Sequence, residues 1–207
     1  AIEFYRERYG IQRGVLPRVL PLSQVGHVCR HTDAEIEVFG FGSLCVMVEG
    51  RCALSSYATG QSPNTAGVCS PPSAVRWEDA ADGVRARLNE VLIDSYAPDE
   101  PRGYPTLCKG RFHVEGVRDY ALEEPTSLNT LAVLPQLMEF GIAAIKIEGR
   151  QRSPAYVEQV TRVWRAAIDQ CAAQPARFTV QPQWVAALGR WSEGQQHTLG
   201  AYNRPWR

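Results

Sequence analysis

The chain has 207 residues and a mass of 23.0 kDa, with 44% hydrophobic and 21% charged residues, a globular composition that excludes a disordered chain. Lys plus Arg total 22 and Asp plus Glu total 22, so no basic excess marks a nucleic-acid binder. No apolar run approaches the roughly 20 residues of a membrane span, and the opening Ala1-Ile-Glu-Phe-Tyr-Arg-Glu7 is too charged for a secretory signal.

Residues 1–9 read as the tail of a helix, with Ile2, Phe4, Tyr5 and Tyr9 on one apolar side and Gly10 as its stop. This helix has no N-cap and residue 1 is not Met, which leads us to expect that the chain begins inside a longer protein. Residues 14–20 read as a short strand and its exit, and Ser23 is placed to cap a helix reaching about Arg30. Residues 35–41 alternate and are β-branched or aromatic, which predicts a strand. From 42 to 77 the chain is rich in Gly, Ser, Pro, Asn and Cys and reads as one long loop. Residues 91–94 and 112–117 are short extended candidates.

Pro135 opens a helix that Gly141 closes, and Ile142 to Ile147 is the clearest strand. Ser153 and Pro154 form an N-cap and first-turn pair. Tyr156, Val160, Val163, Trp164, Ala167, Ile168 and Cys171 follow at helical spacing. A last short helix runs over 182–192. Strands alternating with helices predict an α/β fold with a parallel sheet, with too few strands to close a barrel alone.

Six cysteines in a chain without a secretion signal point to a reducing compartment, where clustered thiols serve as metal ligands more often than as disulfides. Cys45, Cys52, Cys69 and Cys108 follow the spacing C-x6-C-x16-C-x38-C, and four thiolates can enclose zinc or an iron–sulfur cluster. Cys45, Cys52 and Cys69 lie among Gly, Ser, Arg and Asn, which favours a shared centre over separate buried thiols. Spacing by itself does not choose between the metals. Cys29 and Cys171 read as structural, the latter on an apolar helix face. His27 and His31, four apart, read as a solvated or capping pair because no third ligand accompanies them. Glu148 and Arg150 follow the clearest strand, where they could bind a substrate or form an ion pair that fixes the loop. Glu37, in the strand before the cysteines, has the same two readings. There is no His-Glu-x-x-His and no pairing of nucleophile and base, so no catalytic residue is assigned and a protease reading is unsupported.

The stretch Glu37-Val-Phe-Gly-Phe-Gly-Ser-Leu-Cys45-Val-Met-Val-Glu-Gly-Arg-Cys52-Ala-Leu-Ser-Ser-Tyr57 and the stretch Lys146-Ile-Glu-Gly-Arg150-Gln-Arg-Ser-Pro154 resemble the peptidase U-32 (collagenase-like) family. Phe41-Gly42 stands where many branches have His-Gly. Together with Asn64-Thr-Ala-Gly-Val-Cys69-Ser-Pro-Pro72 and the ending His197 to Trp206, it is similar to the ubiquinone-biosynthesis branch. That resemblance implies a 4Fe-4S cluster on Cys45, Cys52, Cys69 and Cys108, and substrate contacts by Glu37, Glu148 and Arg150. It implies a cytoplasmic heterodimer with a UbiV-like sister protein, acting as a subunit of an oxygen-independent hydroxylase on a prenylated aromatic quinone precursor. A related branch implies RNA-base hydroxylation, and a non-catalytic iron–sulfur scaffold is a third reading. The implied fold is the C-terminal portion of a (β/α) TIM-like barrel. Residues 1–207 would be one domain of it, with 42–110 as the cluster-binding region.

Overall fold

The structure is a computed structural model that describes residues 1–45, 47 and 50–204. Val46, Val48 and Glu49 of the cysteine stretch, and Pro205 and Trp206 of the C-terminal motif, lie outside the described residues. The fold is mixed α/β, and among the described residues the strands close no barrel. The chain divides into two compact units, Ala1–Leu44 with Thr126–Arg207, and the inserted Cys45–Pro125. No helix among the described residues is long and apolar enough to cross a membrane.

The first unit begins with α1 (Ile2–Tyr9), β1 (Arg13–Val15), α2 (Leu22–Arg30) and β2 (Glu35–Ser43). Gly10 ends α1 in the left-handed region at φ 68°, its N–H donating to the Arg6 carbonyl. The start of α2 differs from expectation: Pro21, not Ser23, is the N-cap, and no side chain caps it. Its amphipathic face carries the helix instead, with Val25 1% exposed.

The second unit fills what reads in the sequence as a long loop. It contains α3 (Ala53–Thr59), α4 (Pro63–Ala66), an antiparallel meander β3 (Val75–Ala80), β4 (Gly83–Leu88), β5 (Val91–Tyr96), and a hairpin β6 (Arg111–Val114), β7 (Val117–Tyr120). The single extended segment expected over 112–117 is extended at 112–114 and 117 but broken by a turn, because Glu115 and Gly116 both adopt positive φ, 52° and 84°, the backbone a two-residue hairpin turn requires. The buried apolar cluster here is small: Ala58, Ala74, Leu88 and Ile93. A polar node supplements it. Asp94, 3% exposed, accepts two 2.9 Å hydrogen bonds from Arg111 Nε and another from Arg118, and Arg111 also pairs with Glu100 at 2.7 Å. Two guanidiniums on one buried carboxylate tie the hairpin to β5.

The chain then returns to the first unit with β8 (Ser127–Asn129), α5 (Leu134–Glu139), β9 (Ala144–Ile147), α6 (Pro154–Ala173), α7 (Pro182–Gly189) and β10 (His197–Thr198). The sheet is not purely parallel. Strands β1 and β9 pair with β2 in parallel, but β8 runs antiparallel to β2, and β10 lies parallel to β8. Strand β2 bonds to three others: Glu37 is level with Val15 and Ala144, and Phe41 with Ile147 and Asn129.

Ser153 caps α6 as expected, its hydroxyl accepting from Tyr156 N at 3.1 Å, with Pro154 in the first turn. A cap is worth about 1 kcal/mol, whereas each large buried side chain contributes roughly 1.5–3 kcal/mol. The buried stripe Tyr156, Val160, Trp164, Ala167 and Cys171 therefore decides the placement of α6, against Phe41, Leu131, Leu134, Trp184 and Leu188. A second cluster, Leu16, Val25, Ile36, Val38, Phe39, Leu128, Leu137 and Tyr202, has Cys29 packed at its margin.

Close approach of α6 and β9 to β2 depends on Gly40. A Cβ there would lie 2.3 Å from Ile145 Cγ2 and 3.1 Å from the Trp164 ring. Gly40→Ala is expected to lower the free energy of unfolding by about 1–3 kcal/mol, the range for overpacking a tight core. Urea denaturation of the purified chain checks this.

Candidate metal centre and the strand-end polar cluster

All four expected ligands fall in the inserted unit, on separate short elements. Cys45 opens it and is exposed. Cys52 is the N-cap of α3, its sulfur accepting from Ser55 N at 3.3 Å. Cys69 follows α4, and its carbonyl accepts from Ser55 Oγ, which holds the Cys69 backbone against α3. Cys108 is buried in a single 3-10 turn, its carbonyl accepting from Glu123 N at 3.1 Å.

Burial, with smaller additions from charge on Cys69, Cys45 and Cys52 and with Lys109 opposing, pushes the Cys108 thiol up to about 12. Burial likewise raises Cys69, and charge on Cys52 and Cys45 adds to the effect. Among the described residues no three His, Cys, Asp or Glu side chains are grouped as a single metal ion requires. Zinc, with Zn–S near 2.3 Å, draws its sulfurs to within roughly 4 Å of one another. A polynuclear cluster holds its ligands further apart. Four thiols are a donor set suited to a soft metal centre, and a bound cation would supply the charge that overcomes the burial effect on Cys108.

The strand-end residues lie in the first unit. Glu37 sits between the neighbouring strands, 3.3 Å from Lys146 Nζ on β9 and 3.5 Å from Arg13 on β1. Glu148 follows β9, its N–H donating to the Phe41 carbonyl, and pairs with Arg18 at 3.6 Å. The register sets Glu37 level with Ala144, so four residues, about 13 Å of strand, separate the two carboxylates. Arg150 is exposed in the loop after β9. Glu37 and Glu148 therefore stand apart along the strand direction.

Sequence reasoning missed the residues that do converge at this sheet end. Arg152, 21% exposed, donates to Ser43 Oγ at 2.7 Å and to Glu193 at 2.5 Å, and its guanidinium lies 5.3 Å from the Tyr156 ring centre. Glu193 N in turn donates to Ser127 Oγ. Arg18 stacks on Phe39 at 3.9 Å. Arg152 stands two residues beyond Arg150 in the same motif, so the motif carried the signal. Ser43 and Glu193 are 150 positions apart, and no local pattern links them. Gly42 permits the packing: at φ 136°, a Cβ there would meet Glu148 Cβ at 2.5 Å.

Two histidine arrangements resolve as structural. His31 closes α2, its Nδ1 2.7 Å from the His27 carbonyl and its ring stacked on His27 at 4.1 Å. His197 Nε2 contacts Ser192 Oγ, a serine–histidine pair invisible in the sequence. Asn129 Oδ1 accepts from Leu131 N, and Asn129 Nδ2 lies 3.5 Å from His197 Nδ1. The Ser192 hydroxyl also donates to the Leu188 carbonyl at 2.9 Å, which ties the pair to the end of α7. Burial holds His197 below its usual value, with the Leu188 carbonyl opposing. Below about pH 6.5 the unfolded chain then binds more protons than the folded one, so stability falls as the pH drops. Urea titrations at pH 5 to 8 are expected to show this acid loss, and His197→Gln to flatten it.

A family model described as Peptidase family U32 matches residues 1–204. The tRNA hydroxylation protein P1 of Bacillus subtilis (strain 168) is 30% identical over 190 residues, covering 92% of this chain and 39% of that protein. The tRNA hydroxylation protein P of Escherichia coli (strain K12) is 29% identical over 192 residues, covering 83% of this chain and 42% of that protein. The 23S rRNA 5-hydroxycytidine C2501 synthase of Escherichia coli (strain K12) is 31% identical over 160 residues, covering 77% of this chain and 20% of that protein. The chain spans less than half the length of each of these relatives. No solved structure matches it. With the family model covering the cysteine-bearing insert as well as the sheet and helices around it, the chain belongs to peptidase family U32.

Proposed function

We propose that this chain is the cluster-bearing part of a protein that hydroxylates a nucleobase in RNA without molecular oxygen, with a 4Fe-4S centre on Cys45, Cys52, Cys69 and Cys108. The observation that supports the cluster is the presence of four free thiols on separate short elements of one compact unit, with Cys108 buried. The RNA substrate is supported by the relatives, whose names specify tRNA and rRNA hydroxylation. Charge supports it too, since the zero balance is not uniform. The first unit holds fourteen Lys and Arg against ten Asp and Glu, and the insert eight against twelve. When bound, such a cluster supplies one-electron chemistry or a Lewis-acidic iron. The chain's own contribution is to hold the thiolates and bury Cys108. At the sheet end, Arg18, Arg152 and Glu148 offer hydrogen bonds and charge for orienting a polar substrate. The parallel βα order β1–α2–β2 and β9–α6 supports the C-terminal part of a (β/α) barrel. Six free cysteines suit the reducing cytoplasm.

A second reading is favoured by the Phe41-Gly42 motif and the ending that starts at His197. It is ring hydroxylation of a prenylated quinone precursor by a heterodimer with a UbiV-like partner.

The full-length protein purified without air is expected to carry iron and sulfide and a broad visible absorption. Alanine at any one of Cys45, Cys52, Cys69 or Cys108 is expected to remove most of both. Iron-free protein under those conditions would refute the cluster. Deleting the gene is expected to remove a singly oxygenated nucleoside from digested tRNA or rRNA, as read by mass spectrometry. Unchanged RNA with a missing quinone would instead select the second reading.

A further inference from the structure

The stretch 50–74 carries two of the four cysteines, Cys52 and Cys69, and buries little apolar surface. Its buried residues are Ser55, Ala58, Ser70, Pro71 and Ala74, none with a large apolar side chain. Its helices are short, seven residues in α3 and four in α4, well under the roughly 12–15 residues at which isolated helices become even marginal. Tyr57, its largest side chain, is 86% exposed. Ser55 Oγ holds the Cys69 carbonyl, and polar ties from outside the stretch run from Asn89 Nδ2 to the Ala58 carbonyl at 2.8 Å, from Asn89 N to the Ala74 carbonyl at 2.7 Å and from Tyr104 OH to the Ser70 carbonyl at 3.0 Å. The contrast with α6, which buries Tyr156, Val160 and Trp164, is one of kind. Burial that small does not offset the entropy of ordering such a stretch. A link that gathers Cys52 and Cys69 with Cys108 would close both chain loops at once and supply what burial lacks.

We propose that the metal centre is what orders residues 50–74. Filling the four-thiol site, folding α3 against β4 and β5, and ordering α4 form a single equilibrium. Loss of the cluster releases this stretch while the β2–α6 unit stays folded. The fold then contains a conformational switch set by cluster occupancy, which converts exposure to air into a local order-to-disorder change. This inference rests on the cluster reading above.

Hydrogen–deuterium exchange of the full-length protein tests it, comparing the anaerobically loaded form with the same preparation after iron removal by a chelator. Iron and visible absorption are measured on each sample. Amides of 53–66 are expected to exchange about tenfold faster or more without the cluster, and those of β2, β9 and α6 to stay unchanged. A doubly substituted Cys52→Ser, Cys69→Ser protein is expected to show the fast pattern even with iron and sulfide supplied. Equal protection of 53–66 in loaded and stripped protein would overturn the proposal while leaving the cluster intact. Equal loosening of α6 would overturn it as well, by making the transition global. Protein that takes up no iron, shown by its metal content and colourless spectrum, would defeat the cluster reading first and this inference with it.

Discussion

The first unit depends on how closely three strands and one helix approach β2. Gly40 removes the Cβ that would collide with Ile145 and crowd Trp164, and Gly42 removes the one that would collide with Glu148. With both side chains absent, β9 docks in parallel along one side of β2 while β1 and β8 share the other. The stripe of α6 then closes over Phe41. The same approach places Ser43, at the end of β2, within reach of Arg152 from the loop after β9. Packing of the core and assembly of the polar cluster thus follow from one local omission of atoms.

The two units achieve order by different means. The first buries two sizeable apolar clusters that include Trp164, Phe41, Phe39 and several leucines. The insert has a small cluster, and Asp94 with Arg111, Arg118 and Glu100 supplements it. Such a node positions elements accurately but adds little net stability, because desolvation of the charges offsets much of their attraction. Small units with thin cores are commonly stapled by metals or disulfides, and all the cysteines here are free.

Family membership and substrate rest on different observations. The family match covers nearly the whole chain, whereas the relatives differ in the RNA they are named for and extend well beyond this region. Within the chain, the two charge balances have opposite sign, so a total of zero says little about a phosphate-bearing partner. The polar residues that converge at the sheet end are also more buried than the exposed Arg150 to which the motif first directs attention.

What the sequence determined by itself was whatever depends on neighbours a few residues away. Gly10 as a helix stop, Ser153 and Pro154 as a helix start, the stripe of α6, and Ile142 to Ile147 as a strand region are all legible, because capping and helical periodicity act over one or two turns. The four-cysteine spacing was also legible, since thiols among polar residues stand out chemically. Tertiary structure decided the rest. Of the meander, only β5 was legible, as the extended candidate at 91–94; β3 was hidden because it exposes most of its side chains and reads as polar. The antiparallel β8 was hidden by its three-residue length. The burial of Arg152, and the contact of Ser192 with His197, arise from contacts with Ser43, Asn129 and Glu193. These partners are brought close by the pairing of β2, β8 and β10, and such distant contacts leave no periodic trace along the chain.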